Sequence, residues 1–208
     1  MGRMSDPVRP RPGRPVDHSA RAARRQQIME GARSCFHQHG FHAAGTAEIA
    51  AAAKVSVANL YQYFASKDEL IIAIAEEDLR SDLALIAMIK SAGSIEDAME
   101  LAVDAITQEA RDPSVSRLRL EVSTEATRNP GVAHVVLRAE QMQRAALVDW
   151  IRQSQARGEI SADLDPETSA FALLCLIDGA FARVATGVLA PESAARELMR
   201  AIRAMFRI

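Results

Sequence analysis

The chain has 208 residues, 49% of them apolar and only 4% aromatic, with a net charge of −2. Abundant Ala and few strand-favouring side chains predict an all-α protein with ample material for a core, and argue against a sheet-built fold. The small net charge hides an asymmetry: residues 1–67 hold 10 Lys/Arg against 4 Asp/Glu, and residues 68–208 hold 15 against 23. A basic head on an acidic body points to a polyanion binder with a second role.

Residues 1–17 read as a disordered basic arm, with Pro7, Pro10, Pro12 and Pro15 and almost no apolar side chain. Arg9, Arg11 and Arg14 on an extended backbone suit a narrow minor groove, non-specific phosphate attraction or no contact at all. A first helix is expected from Ser19 or Ala20 to about His39, with Ile28, Ala32, Cys35 and Phe36 on its core face and Gly40 ending it. Arg21, Arg24 and Arg25 at its start are placed to meet phosphates. Cys35, His37, His39 and His42 crowd together, but their spacing straddles a helix end and completes no four-ligand set, so no metal is expected. Cys35 and Cys175 are expected to be buried free thiols.

Gly45 to Lys67 organises the chain. Thr46 to Ala53 is a short Ala-rich helix. Ser56 is a good N-cap for a second helix. Lys54-Val55 leaves almost no loop between them, so the helices cross steeply, which is the helix-turn-helix plan. Ala50 and Ala53 permit close approach, and Ile49, Val55 and Leu60 fill the wedge. On the second helix Val57, Ala58, Asn59, Tyr61 and Gln62 point outward while Leu60 and Phe64 point inward. Gln62 suits a bidentate pair with adenine, and Val57 or Ala58 a thymine methyl.

The run I-A-A-A-A-K-V-S-V-A-N-L-Y-Q-Y-F-A-S-K-D-E-L, Ile49 to Leu70, resembles the DNA-binding signature of the tetracycline-repressor (TetR) family of bacterial regulators. The specific part is L-Y-Q-Y-F-x-x-K-x-x-L, Leu60 to Leu70. The resemblance implies that Tyr61, Tyr63 and Lys67 hold phosphates, and Arg14, Thr46 and Ser56 complete the expected DNA-binding set. It also implies a head spanning 18–67 and a ligand-binding, dimerising body spanning 68–208. Lys54 stands where the family has Gly, so a left-handed backbone at about 1 kcal/mol is expected there. Gly45 stands where the family often has a Thr or Ser cap.

Ser66 caps a long helix running towards Lys90 and Gly93, with Asp68 and Glu69 in its first turn. By the resemblance, this helix joins head to body. Five further helices are expected, at about 94–111, 114–128, 131–157, 166–187 and 191–206, with joints at Asp112-Pro113, Asn129-Pro130-Gly131, Gly158, Asp165-Pro166 and Ala190-Pro191. The 166–187 helix is apolar around most of its circumference, so it must be covered on two sides. With the last helix, it is expected by resemblance to form a four-helix homodimer contact through Leu174, Ile177, Asp178, Phe181, Ile202 and Met205.

On the 114–128 helix Leu118, Glu121, Val122 and Glu125 share one stripe. Two readings stand: a chamber for a cationic or hydrogen-bond-donating ligand, or a partly exposed face with Arg117 or Arg128 as partners. Met99, Met142, Trp150, Phe171 and Cys175 are candidate apolar walls of such a chamber. No Glu-x-x-His pair, P-loop, G-x-S-x-G or Rossmann fingerprint occurs, so neither enzyme activity nor a cofactor is expected. No run of 18 apolar residues and no secretory signal is apparent, which points to the cytoplasm and away from a membrane. The expectation is a DNA-binding regulator, a repressor released by a small-molecule effector, that binds double-stranded operator DNA as a homodimer. An architectural DNA-binding protein without a ligand is the competing reading.

Overall fold

The computed structural model describes residues 18–208, less the side chain of Pro113, so the basic arm and Arg14 lie outside the described residues. Every regular element among them is a helix: α1 (His18–Ala43), α2 (Thr46–Ala52), α3 (Val57–Tyr61), α4 (Lys67–Lys90), α5 (Ile95–Arg111), α6 (Pro113–Ala126), α7 (Pro130–Ala156), α8 (Pro166–Ala185) and α9 (Pro191–Phe206). Side-chain caps explain most of the boundaries. Ser56, Ser66, Ser94, Asp112, Asn129 and Asp165 each accept a backbone amide of the following helix, and α6, α7, α8 and α9 each begin with Pro in the first turn. Gly45 has no side chain to offer α2, but Glu48 Oε2 accepts the Gly45 amide at 2.9 Å, which is half of a capping box.

Two apolar cores share one rod. The head core gathers Ile28, Met29, Phe36, Phe41, Ile49, Leu60 and Phe64 with Leu70, Ile71 and Ile74 from the first half of α4. Leu118 of α6 and Val132 of α7 also enter it, so the body grips the head directly. The second core lies among α5, α7, α8 and α9, with Ile86 and Ile89 from the other half of α4 packed into it. Arg33 of α1 fastens the rod with ion pairs to Asp78 at 2.6 Å and Glu77 at 3.0 Å.

Three expectations change here. Cys35 is buried as expected, but Cys175 is exposed, because it lies on the outward stripe of α8. Gly40 does not simply end α1. With φ 77° it kinks the chain, and helix resumes through Ala43. Helix α8 is long and apolar enough to span a membrane by length and composition alone. It nevertheless carries Asp178 and Arg183, and it packs along α7 and α9.

Candidate nucleic-acid interface and ligand chamber

The turn between α2 and α3 is compact because its own backbone bends sharply and two residues of α1 brace it. Lys54 adopts φ 53°, the left-handed backbone expected of the residue in that place. Gln27 of α1 donates to the Ala53 carbonyl at 2.6 Å. Gly31 lies so close that a Cβ there would stand 2.7 Å from the Ala53 amide nitrogen and 2.8 Å from its Cβ. Ala53 is therefore small because α1 presses on it, and the close approach is to α1 as much as to α3.

The brace turns one face of α3 outward. Val57, Ala58, Tyr61 and Gln62 are exposed, whereas Leu60 and Phe64 are buried. Asn59 Nδ2 donates to Gln62 Oε1 at 3.1 Å, which holds both amides on that face. Ser56 is used as the cap, accepting Asn59 N–H at 3.1 Å. Tyr61 Oη donates to Thr46 Oγ1 at 3.5 Å. Tyr63 is half-buried with the Arg21 guanidinium over its ring, 5.4 Å from the centroid. Arg21, Arg24, Lys54, Ser56, Asn59 and Tyr63 line one polar groove beside α3. Sequence reasoning missed Lys54 as part of this cationic rim.

Lys67 is placed differently from the expectation of a phosphate contact. Its ammonium donates to the carbonyls of Phe41 at 2.6 Å, His42 at 3.0 Å and Ala44 at 3.1 Å, and lies 4.6 Å from the centre of the Phe41 ring. An ammonium has three protons, and here all three are used. Lys67 closes the end of α1, where carbonyls have no intrahelical partner.

The stripe of α6 proposed as a chamber wall faces the head instead. Glu121 Oε2 accepts the Phe41 amide at 3.0 Å, just past the Gly40 kink. Glu125, nearly fully buried, lies 3.0 Å from His42 Nε2 and 3.8 Å from Arg128 Nε. Leu118 is buried in the head core and Val122 packs against it. The i, i+3, i+4 pattern marked a covered face correctly, but what covers it is the kinked end of α1. Glu121 and Glu125 therefore join head and body.

The body does hold a partly open chamber, of about 110 Å³, set among α4 to α9. Asp82, Leu85, Ile86 and Ile89 line it from α4; Met99, Ile106 and Glu109 from α5; Arg119 from α6; Gln143, Leu147 and Trp150 from α7. Leu173, Leu174, Ile177, Asp178 and Phe181 of α8 and Ile202 of α9 complete it. Of the expected walls, Met99 and Trp150 are here. Met142, Phe171 and Cys175 are exposed and outside the lining. Leu174, Ile177, Asp178, Phe181 and Ile202, expected at a dimer contact, line the chamber, and Met205 packs half-buried against the same core. On α8, residues 174, 177 and 181 look into the chamber with 178 at its open edge, while 171 and 175 look out. Both stripes are apolar, so their pattern alone could not tell inside from outside.

The chamber holds a charged network. Arg119 Nη2 pairs with Asp82 at 2.8 Å and Glu109 at 3.2 Å, with the guanidinium 4.7 Å from the centre of the Phe181 ring. Gln143 donates to Asp82 at 2.8 Å. Burial alone would lower the Arg119 pKa, but Asp82, by charge and hydrogen bond, and Glu109 outweigh it and raise it above its ordinary value. Burial raises the Glu109 carboxyl despite Arg119, and raises Asp178 likewise.

With that geometry in place, similarity to known proteins decides the family. Residues 28–74 match the family model for bacterial regulatory proteins, tetR family, and residues 95–207 match the one for the BetI-type transcriptional repressor, C-terminal. The chain belongs to the TetR family. Its similarity to the HTH-type transcriptional regulator UidR of Escherichia coli (strain K12) is 30% identity over 178 residues, 86% of this chain and 90% of UidR. The structure of Salmonella enterica GusR superposes with a TM-score of 0.73 at 30% identity, covering 89% of this chain and 96% of that one. A regulator from Saccharomonospora viridis in complex with choline matches in fold, with a TM-score of 0.73 at 20% identity, over 89% of this chain and 96% of that one. TetR-family proteins are DNA-binding transcriptional regulators and not enzymes. They bind operator DNA and small-molecule effectors. This TetR-family chain is therefore a DNA-binding regulator, with its helix-turn-helix in residues 46–61.

Proposed function

We propose that this chain is a homodimeric repressor that leaves a pseudo-palindromic operator when a small molecule occupies the chamber. One observation carries the coupling. Arg119, in the chamber, and Glu121 and Glu125, which hold the kinked end of α1, sit on the same short helix, α6. A ligand that moves Arg119 acts on the head through about one and a half turns of helix. It biases the equilibrium only by binding one arrangement of the heads better than the other. The competing reading, an architectural protein with no ligand, predicts a filled body, and the chamber argues against it.

In this reading Val57, Ala58, Asn59 and Gln62 meet base edges. Thr46, Tyr61, Tyr63, Arg21, Arg24 and Lys54 meet phosphates and set register, and the arm with Arg14 adds attraction. The dimer contact uses the outward stripe of α8, where Ala172, Cys175, Leu176, Gly179 and Ala180 form a shallow apolar groove with Ala194, Leu198 and Ala201 of α9. Small residues there permit close approach of a second copy. Like other regulators of its family, it acts in the cytoplasm, where the operator is.

The test is selection from a random DNA pool, with sedimentation of the free protein. The expected winner is an inverted repeat whose half-site centres lie about 34–36 Å apart, or a modest departure from that. Gln62→Ala should relax one base-pair preference by about 1–3 kcal/mol if the contact is bidentate. A monomer in sedimentation together with a single asymmetric site would defeat the proposal.

A further inference from the structure

The chamber has apolar walls and a charged corner, and the corner does not balance. Asp82, Glu109 and Asp178 bring three carboxylates from α4, α5 and α8, and Arg119 brings one guanidinium. Arg119 is committed to Asp82 and Glu109, while Asp178 has no hydrogen bond or ion pair from its side chain among the described residues. An exposed residue that also lines the cavity, Asp178 stands at the chamber mouth. We propose that the chamber takes a compact amphiphilic amine, its protonated nitrogen held by Asp178 beside the Asp82–Arg119–Glu109 network and its hydrocarbon body among the aliphatic walls. The inference rests on the reading of this chamber as the effector site.

Three observations narrow the chemistry. A metal ion is disfavoured, because no group of three or more His, Cys, Asp or Glu among the described residues could hold one. A quaternary ammonium wants a cage of aromatic faces. This chamber offers only Trp150, which packs edge-on against Phe206, and Phe181, whose ring already faces Arg119. A primary or secondary ammonium instead donates hydrogen bonds, which is what an unpaired carboxylate accepts. Size is set by the 110 Å³ of space. An apolar cavity of about 150 Å³ admits benzene, so this smaller space takes a hydrocarbon body of no more than about six heavy atoms, with the amine at the open mouth. The rise of the Asp178 carboxyl through burial agrees, since a bound cation relieves that cost.

The experiment is calorimetric titration of the full chain with cyclohexylmethylamine, its N-trimethyl derivative, cyclohexylmethanol and cyclohexanecarboxylate. The amine should bind about tenfold or more tighter than the alcohol and the trimethyl compound, and the carboxylate most weakly. Asp178→Asn should erase the advantage of the amine over the alcohol while leaving alcohol binding intact. Leu147→Trp, which fills the chamber, should weaken all the probes that bind. Equal or better binding of the alcohol, the carboxylate or the trimethyl compound overturns the amine inference and leaves an effector chamber standing. Absence of binding by all four overturns both.

Discussion

Lys67→Met separates a structural lysine from a phosphate-binding one. Methionine keeps an apolar side chain of similar length and removes the ammonium, whose nitrogen lies over the Phe41 ring. Two of the three lost bonds, to Phe41 O and Ala44 O, are partly buried, and both residues have almost no exposed surface. The third, to His42 O, is exposed and water can replace it. A hydrogen bond from a charged donor is worth about 1.5–3 kcal/mol, and two neighbouring bonds from one group do not add fully. The expected loss is about 2–4 kcal/mol, a substantial part of the roughly 5–15 kcal/mol that holds a domain together. Urea unfolding followed by circular dichroism reads it as a lower midpoint at unchanged slope. DNA affinity should then fall through loss of folded head, with the salt dependence of the remaining binding unaltered. Stability unchanged within about 0.5 kcal/mol, with a salt slope lower by about one unit, would instead mark Lys67 as a surface phosphate contact.

Three other outcomes are expected. Gly31→Ala drives a methyl into the Ala53 backbone and should cost about 1–3 kcal/mol, read as a lower melting temperature; an unchanged one would mean α1 and α2 separate freely. Asp112 caps α6 and its carboxyl is held below the ordinary aspartate range, first by its hydrogen bonds to Ser114. Its stabilisation is therefore present above the ordinary aspartate pKa and disappears as pH falls through the depressed one. The difference between wild type and Asp112→Ala, about 0.5–2 kcal/mol at neutral pH, should close in acid. Glu121→Ala frees the Phe41 amide and should blunt effector-driven DNA release more than it alters DNA affinity without effector; a full response would show that α6 does not carry the signal.

Local chemistry explains what was legible in the sequence. Ser56, Ser66, Ser94, Asp112, Asn129 and Asp165 announce their helices because a cap acts within three residues of itself. The exposed face of α3 followed from Leu60 and Phe64 for the same reason. What stayed hidden involves partners far along the chain. Gln27 reaches the Ala53 carbonyl across 26 residues, and Glu121 reaches the Phe41 amide across 80. Periodicity says that a stripe is covered without saying by what, so it left the carboxylates of α6 open between a ligand and an Arg117 or Arg128 partner; Arg128 does approach Glu125, but α1 was not foreseen. On α8 two apolar stripes competed, and the polar residues Asp178 and Arg183 did not decide between them, because both are exposed.

Helix α4 belongs to both cores, and that sets the scale of motion available to the heads. Its 24 residues make a rod about 36 Å long. Leu70, Ile71 and Ile74 pin one end to the recognition unit, and Asp82, Ile86 and Ile89 put the other against the chamber. A stiff rod converts rotation to displacement in proportion to its length. A tilt of about 5° at the chamber carries the far end about 3 Å, the full length of a hydrogen bond. Contacts to base edges do not survive an error of that size, and in the homodimer proposed above two heads moving oppositely would double it. A ligand filling only 110 Å³ thus has enough leverage to change the reading frame of the protein on DNA.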